Sequence, residues 1–170
     1  GFHKLYTVDQ LRLCGYSCEE LRLVGFGVKE VRQTGATNKE LRDGGYSASE
    51  LRQVGATCKE LKVLQYTTAD LKECGFIAKE LAAVGFDSYS LKMGGYRPRH
   101  VKDCGFKGAS VFGLDELKSD GFKVPELRDD EGFTLDQLSK CFSVEELRKE
   151  GDVKAGELLE VGYALIEMRQ

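Results

Sequence analysis

The chain has 170 residues, 41% of them apolar and 31% charged, with 20 Gly, 2 Pro and no Trp. This composition supports a buried core and excludes a disordered tail, a collagen and a disulfide mini-protein. No apolar run approaches the ~20 residues that span a bilayer, and Gly1-Phe2-His3-Lys4 lacks a basic-then-apolar leader pattern.

The net charge of −3 is unevenly spread. Residues 1–110 hold 17 Lys and Arg against 13 Asp and Glu, whereas residues 111–170 hold 8 against 15. A basic half and an acidic half could steer a partner or favour head-to-tail association.

An internal repeat dominates the sequence. Leu or Val recurs every ten residues at 11, 21, 31, 41, 51, 61, 71, 81, 91, 101 and 111. Four positions after nearly every one stands Gly, from Gly15 to Gly105, with Gln65 the exception. An aromatic usually follows: Tyr16, Phe26, Tyr46, Tyr66, Phe76, Phe86, Tyr96 and Phe106, with Ala36 and Ala56 instead in two units. A unit therefore reads Leu-Arg-x-x-Gly-Tyr/Phe-Ser/Thr-Ala-Lys-Glu, numbered below from the Leu.

Local chemistry turns each unit into one short helix. Ser or Thr three residues before Glu or Gln is a capping box, in which the hydroxyl accepts an orphan helical N–H and the acid reaches back to the cap N–H. It occurs at Thr7/Gln10, Ser17/Glu20, Thr37/Glu40, Ser47/Glu50, Thr57/Glu60, Thr134/Gln137 and Ser143/Glu146, with Thr67/Asp70 a variant. The Gly that follows suits the left-handed residue that ends a helix. Gly55→Val is accordingly expected to destabilise. Helices this short are marginal alone and persist only by packing on other units. The eighth, first and fourth positions make one apolar stripe per helix, and the aromatic is placed to staple helix to helix.

The pattern predicts an all-α solenoid of very short helices, one per ten residues. Small residues at Cys14, Gly44, Cys74 and Cys104, and Val at 24, 54 and 84, suggest a thirty-residue superperiod, hence three helices per superhelical turn. A twenty-residue zigzag is the alternative, hinted at by Ala36 and Ala56. Residues 1–111 form the regular repeats. Beyond Val111 the Leu positions move to 117, 127, 138, 147 and 158, with Met168 last. Residues 112–170 are expected to cap the same solenoid.

Chemical motifs are sparse. The six cysteines form no Cys-x-x-Cys pair and no His stands at ligand spacing, which points to free thiols in a reducing, intracellular setting rather than a metal site. No nucleophile elbow, phosphate loop or dinucleotide fingerprint occurs, so neither an enzyme nor a cofactor is expected. Basic residues are the best binding candidates. Arg12, Arg22, Arg32, Arg42, Arg52, Lys62 and Lys72 all stand at position two, as do Lys92 and Lys102. Such a ladder could follow a phosphate backbone, or form salt bridges with Glu20, Glu30, Glu40, Glu50 and Glu60. A local cluster of Lys92, Tyr96, Arg97, Arg99 and His100 breaks the motif and is the candidate binding patch.

The units resemble the short tandem repeats Glu-Leu-Lys/Arg-x-x-Gly-Phe/Tyr-Ser found in scattered proteins of microbes and protists. The resemblance covers residues 6–111 closely and the remainder loosely. It implies a repeat architecture and brings no activity and no functional residue with it. The resulting expectation is a non-enzymatic scaffold that binds a protein partner through an extended surface. Nucleic-acid binding along the ladder, or a spacer that assembles head to tail, is the alternative.

Overall fold

The computed structural model describes residues 5–163, so the readings of residues 1–4 and of Met168 lie outside it. Ten helices of five or six residues follow one another at ten-residue intervals: α1 (Val8–Leu13), α2 (Cys18–Leu23), α3 (Val28–Gln33), α4 (Asn38–Asp43), α5 (Ala48–Gln53), α6 (Cys58–Val63), α7 (Thr68–Glu73), α8 (Ala78–Ala83), α9 (Ser88–Met93) and α10 (Pro98–Lys102). A 3₁₀ turn (Gly108–Ser110) comes next, then α11 (Leu114–Ser119), a π-helical turn (Glu126–Asp130), α12 (Leu135–Leu138), α13 (Val144–Gly151) and α14 (Ala155–Glu160). This is the all-α repeat solenoid that the ten-residue period requires, and no strand occurs among the described residues.

Every capping box read from the sequence forms. Ser17 accepts the Glu20 N–H, and the Glu20 carboxylate accepts the Ser17 N–H at 2.8 Å. The same reciprocal pair closes α1, α4, α5, α6, α7, α12 and α13. Where the hydroxyl is missing, at Gly27 and Ile77, Glu30 and Glu80 still accept the cap N–H at 2.8 Å.

Most of the helices stop by one device. Gly25 takes φ +100°, its N–H donates to Arg22 O, and the Phe26 N–H donates to Leu21 O. These two bonds satisfy carbonyls that the helix end leaves open. The pair recurs after α4 through α8, and again after α11 and α14. Gln65 fills the same place with φ +62° despite its side chain.

Contacts cluster into two units, one running to Phe86 and including Met93–Gly95, the other comprising Asp87–Lys92 and the described residues from Tyr96. In the first unit, position one forms the centre: Leu21, Val31, Leu41, Leu51, Leu61, Leu71 and Leu81 are fully buried. Position eight closes over it with Cys18, Val28, Ala48, Cys58, Thr68 and Ala78. Each buried Leu contributes about 1.5–3 kcal/mol of transfer free energy, which offsets the nucleation cost of a two-turn helix.

Stacking runs between alternate helices. α4 packs on α2, α5 on α3 and α7 on α5. The Tyr46 hydroxyl donates to Phe26 O at 2.9 Å, and the Tyr66 hydroxyl donates to Tyr46 O at 2.6 Å, each twenty residues back. The superperiod in this unit is therefore two helices, not the three suggested by the thirty-residue columns. The Gly turn brings each helix back toward the one before last, and a triangular path would leave the Tyr hydroxyls without these carbonyls.

Position four is a second correction. It is the residue after the helix rather than a member of the buried stripe, so Cys14 is exposed and Val24, Val54, Cys74, Val84 and Cys104 are half-buried. Gly44 is buried there because α2 approaches closely: a Cβ on Gly44 would lie 2.7 Å from Cys18 Cβ and 2.9 Å from Cys18 C. Gly94 meets Thr68 in the same way.

In the second unit the repeat loosens where the Leu spacing loosens. Val111 is half-buried, and Phe112 and Leu117 take the central places with Phe122, Val124, Leu127, Leu138, Phe142 and Leu147. Glu131 is buried here, and its carboxylate accepts the Ala109 N–H at 2.8 Å, fixing the 3₁₀ turn. Asp152, at φ +49°, ends α13 in place of Gly.

The left-handed turns make a paired prediction. Nothing lies within 4 Å of a Cβ on Gly55, so the cost of Gly55→Val is that of its φ of +92°, about 1–2 kcal/mol. Gln65→Gly relieves the same strain and gains about 0.5–1 kcal/mol after the entropy cost of glycine. Urea unfolding of both variants checks this, and an unchanged midpoint for Gly55→Val contradicts the assignment.

Candidate functional site

The position-two ladder spends its charge inside the fold. Arg52 Nη1 donates to Cys74 O, and its guanidinium lies 4.1 Å from the centre of the Phe76 ring. Lys62 Nζ donates to Val84 O at 2.8 Å and lies 4.6 Å from the Phe86 ring. Arg22 lies 5.5 Å from the Tyr46 ring, and Lys72 donates to Gly95 O. One reach explains all of these. Arg52 and Lys62 each cap the carbonyl end of the helix after next and cover the aromatic that follows it, while Arg22 makes the ring contact and Lys72 the carbonyl bond of the same reach. Where that aromatic is Ala, the head goes elsewhere: Arg12 bonds Glu40 at 2.8 Å and Arg32 bonds Ala36 O at 2.7 Å. Arg42 makes a long ion pair with Asp43 at 3.8 Å and lies near Tyr66, the aromatic its reach leads to.

The ladder is thus mainly neither a free phosphate track nor a salt-bridge column. Apart from Glu40, which also pairs with Arg12, the Glu residues expected to pair with it serve as cap partners at Ser17, Gly27, Ser47 and Thr57. The Thr37 N–H and Arg12 together hold the Glu40 carboxyl down to about 2. Burial pushes Tyr46 up to about 12, and it raises the Cys18 and Cys58 thiols.

The local cluster divides. Tyr96 is buried and meets the His100 ring edge-on at 6.2 Å. Arg97 and His100 are exposed, and the Arg97 N–H donates to His100 Nδ1 at 3.3 Å. Lys92 leaves the group, bonding Val111 O and Glu116 at 2.8 Å each and covering the Phe112 ring. Arg99 also leaves it, forming a two-pronged pair with Glu126 at 2.6 and 2.9 Å above the Phe122 ring. Lys102 joins Glu126 at 3.2 Å and Asp130 at 2.7 Å. Arg99 holds the Glu126 carboxyl down to about 2, against the effect of burial. The π-helical turn carries both acids that face this pair of cations, Glu126 and Asp130. Further along, Lys118 repeats the reach of position two, bonding Cys141 O at 2.7 Å and covering Phe142 at 4.1 Å.

A different set of cations is left outside the fold. Lys39, Lys59 and Lys79, at position nine of α4, α6 and α8, are exposed and make no hydrogen bond or ion pair among the described residues. They recur every twenty residues, so the alternate stacking puts them on one series of helices. Lys29, at the same position of α3, is exposed as well, so the position-nine lysines of the sequence show no regular twenty-residue spacing by themselves. Between two of them lies a shallow, mainly apolar groove lined by Thr37, Asn38, Lys39, Lys59, Glu60, Val63 and Leu64. Val63 is 76% exposed. The groove has a sequence cause: Leu64 occupies the place that Gly44 fills against Cys18, and Asn38 stands where neighbouring units carry a small apolar residue. Asn38 Oδ1 is buried there without a partner.

Among the described residues, no three His, Cys, Asp or Glu come together as a metal site, and no helix is long and apolar enough to cross a membrane.

Repeated capping box, left-handed turn and buried Leu define a short-helix repeat protein. The decapeptide repeat region family matches residues 5–66 and 55–141, and the chain belongs to it. No curated protein and no solved structure matches the chain.

The ion cluster of the second unit generates a pH prediction. A carboxyl held below its ordinary value favours the folded state when ionised. The contribution of Glu126 is complete above about pH 4.5 and is lost as pH falls toward 2. Glu126→Gln should cost about 1–2 kcal/mol at pH 7, allowing for solvent screening. It should also flatten the stability profile between pH 4.5 and 2. Urea midpoints across that range measure it, and parallel profiles for wild type and variant would contradict it.

Proposed function

We propose that the chain is a non-enzymatic repeat scaffold that binds protein through the solvent-facing places of its stacked helices. The observation that carries this reading is the internal use of the position-two ladder. Cations that cap carbonyls and cover rings are not free for a phosphate backbone, and removing them would damage the fold. Nucleic-acid binding therefore loses its main candidate groups. Among the exposed cations, Lys39, Lys59 and Lys79 recur every twenty residues, an arrangement suited to an extended or repeated partner. Six free cysteines, two of them buried thiols, agree with a reducing, intracellular setting.

Affinity capture from native lysate at moderate salt, with and without nuclease, tests the reading. Protein partners should be retained after nuclease treatment. Retention that disappears with nuclease would replace this function with nucleic-acid binding.

A further inference from the structure

We propose that His100 makes the start of α10 a pH-sensitive joint of the second unit. The neutral imidazole caps the Arg97 N–H, and gaining a proton removes that cap and loosens the exposed entry at Arg97. The protein-binding reading neither requires this device nor depends on it.

Unit ten has lost both halves of the capping box. Arg97 stands where most units carry Ser or Thr, and it makes no side-chain cap bond. His100 stands where most carry Glu, Gln or Asp. Three substitutes take over. Pro98, at the first helical place, has no N–H to satisfy. Asp120, just after α11, accepts the Arg99 N–H at 2.8 Å. His100 Nδ1 accepts the Arg97 N–H at 3.3 Å, and among the described residues that N–H has no other acceptor. The buried Tyr96 ring meets the same imidazole edge-on at 6.2 Å.

An imidazole nitrogen accepts only while it carries no proton. The neutral ring has one N–H, here on Nε2, and one bare nitrogen; the cation has two N–H groups and accepts nothing. Imidazole changes charge between about pH 5 and 8. The acid caps keep their acceptors through that window: the Ser17 N–H, for one, holds the Glu20 carboxyl below its ordinary value. No neighbouring charge replaces the lost bond. On α10 itself stand Arg97, Arg99 and Lys102, with Asp103 at its end. Lys107 leads into the 3₁₀ turn, and Lys92 of α9 is paired with Glu116 of α11. Asp120 is taken by the Arg99 N–H, and Glu126 and Asp130 by Arg99 and Lys102. Among the described residues, no carboxylate bonds the imidazole. Pro98 and Val101 are buried, so the opening is confined to the helix entry.

The experiment uses the whole chain, isotopically labelled. Ring resonances follow the protonation of His100, and saturation transfer from water follows solvent exchange of the Arg97 amide from about pH 5 to 8. His100→Gln is the reference, because Gln10 and Gln137 already fill this place at α1 and α12 and accept the cap N–H at 2.9 Å without titrating. The ratio of wild-type to reference exchange at each pH cancels the base catalysis common to both. It should stay near one at the alkaline end and rise about fivefold at the acid end, the effect of losing one cap bond. Its midpoint should match that of the His100 ring. His100→Ala, with no acceptor, should exchange at the acid-form rate throughout, and His3→Gln should leave the ratio unchanged. A flat or falling ratio, a midpoint apart from that of the ring, a ratio altered by His3→Gln, or equally fast exchange in the Gln and Ala variants would overturn the proposal.

Discussion

A six-residue helix forms too few internal hydrogen bonds to offset its own nucleation, so each helix of this chain depends on the turn that follows it. In most units that turn is a single left-handed residue at a fixed place, closed by two backbone bonds back into the helix just ended. It satisfies the open carbonyls and sets the direction of the next helix. It also keeps the buried Leu in phase from unit to unit. A capping box then starts the next helix with no linker to spare. The ten-residue period is the shortest path that contains a cap, two helical turns and a left-handed stop.

The second constraint follows from the first. Because the chain folds back at every unit, the near neighbour of a helix in the first unit is the helix after next. Contacts twenty to twenty-eight residues apart then join the turns: Tyr hydroxyls on carbonyls, cations on carbonyl ends and aromatic rings, and glycines against position-eight side chains. Positions that look like a charged outer face in sequence are partly the mortar of this stacking. Functional charge has to be sought among the cations that this packing leaves over.

Much of the local structure was legible because its causes lie within ten residues. Thr37 and Glu40, or Leu51 and Gly55, state their roles by identity and spacing alone. The stacking was not legible in the same way. Small residues at 14, 44, 74 and 104 suggested a thirty-residue turn, yet they share only the place after a helix, where close approach depends on the partner two helices away. Gly44 lets Cys18 approach closely, whereas Leu64 and Asn38 at the equivalent places line a groove. Such pairs become visible only when residues twenty-six apart are read together. The cluster around Tyr96 was visible as a break in the motif, but Lys92 and Arg99 find their partners beyond Val111, where the period no longer guides the eye.

The order of stacking is the claim on which the cation accounting and the placing of the exposed lysines both depend. Through-space proton contacts in the labelled protein test it most directly. Alternate stacking predicts strong contacts from the Gly44 α-protons to the Cys18 side chain, and from Gly94 to Thr68. A three-helix turn would instead place Gly44 against Val8, and contacts there without any to Cys18 would contradict the account.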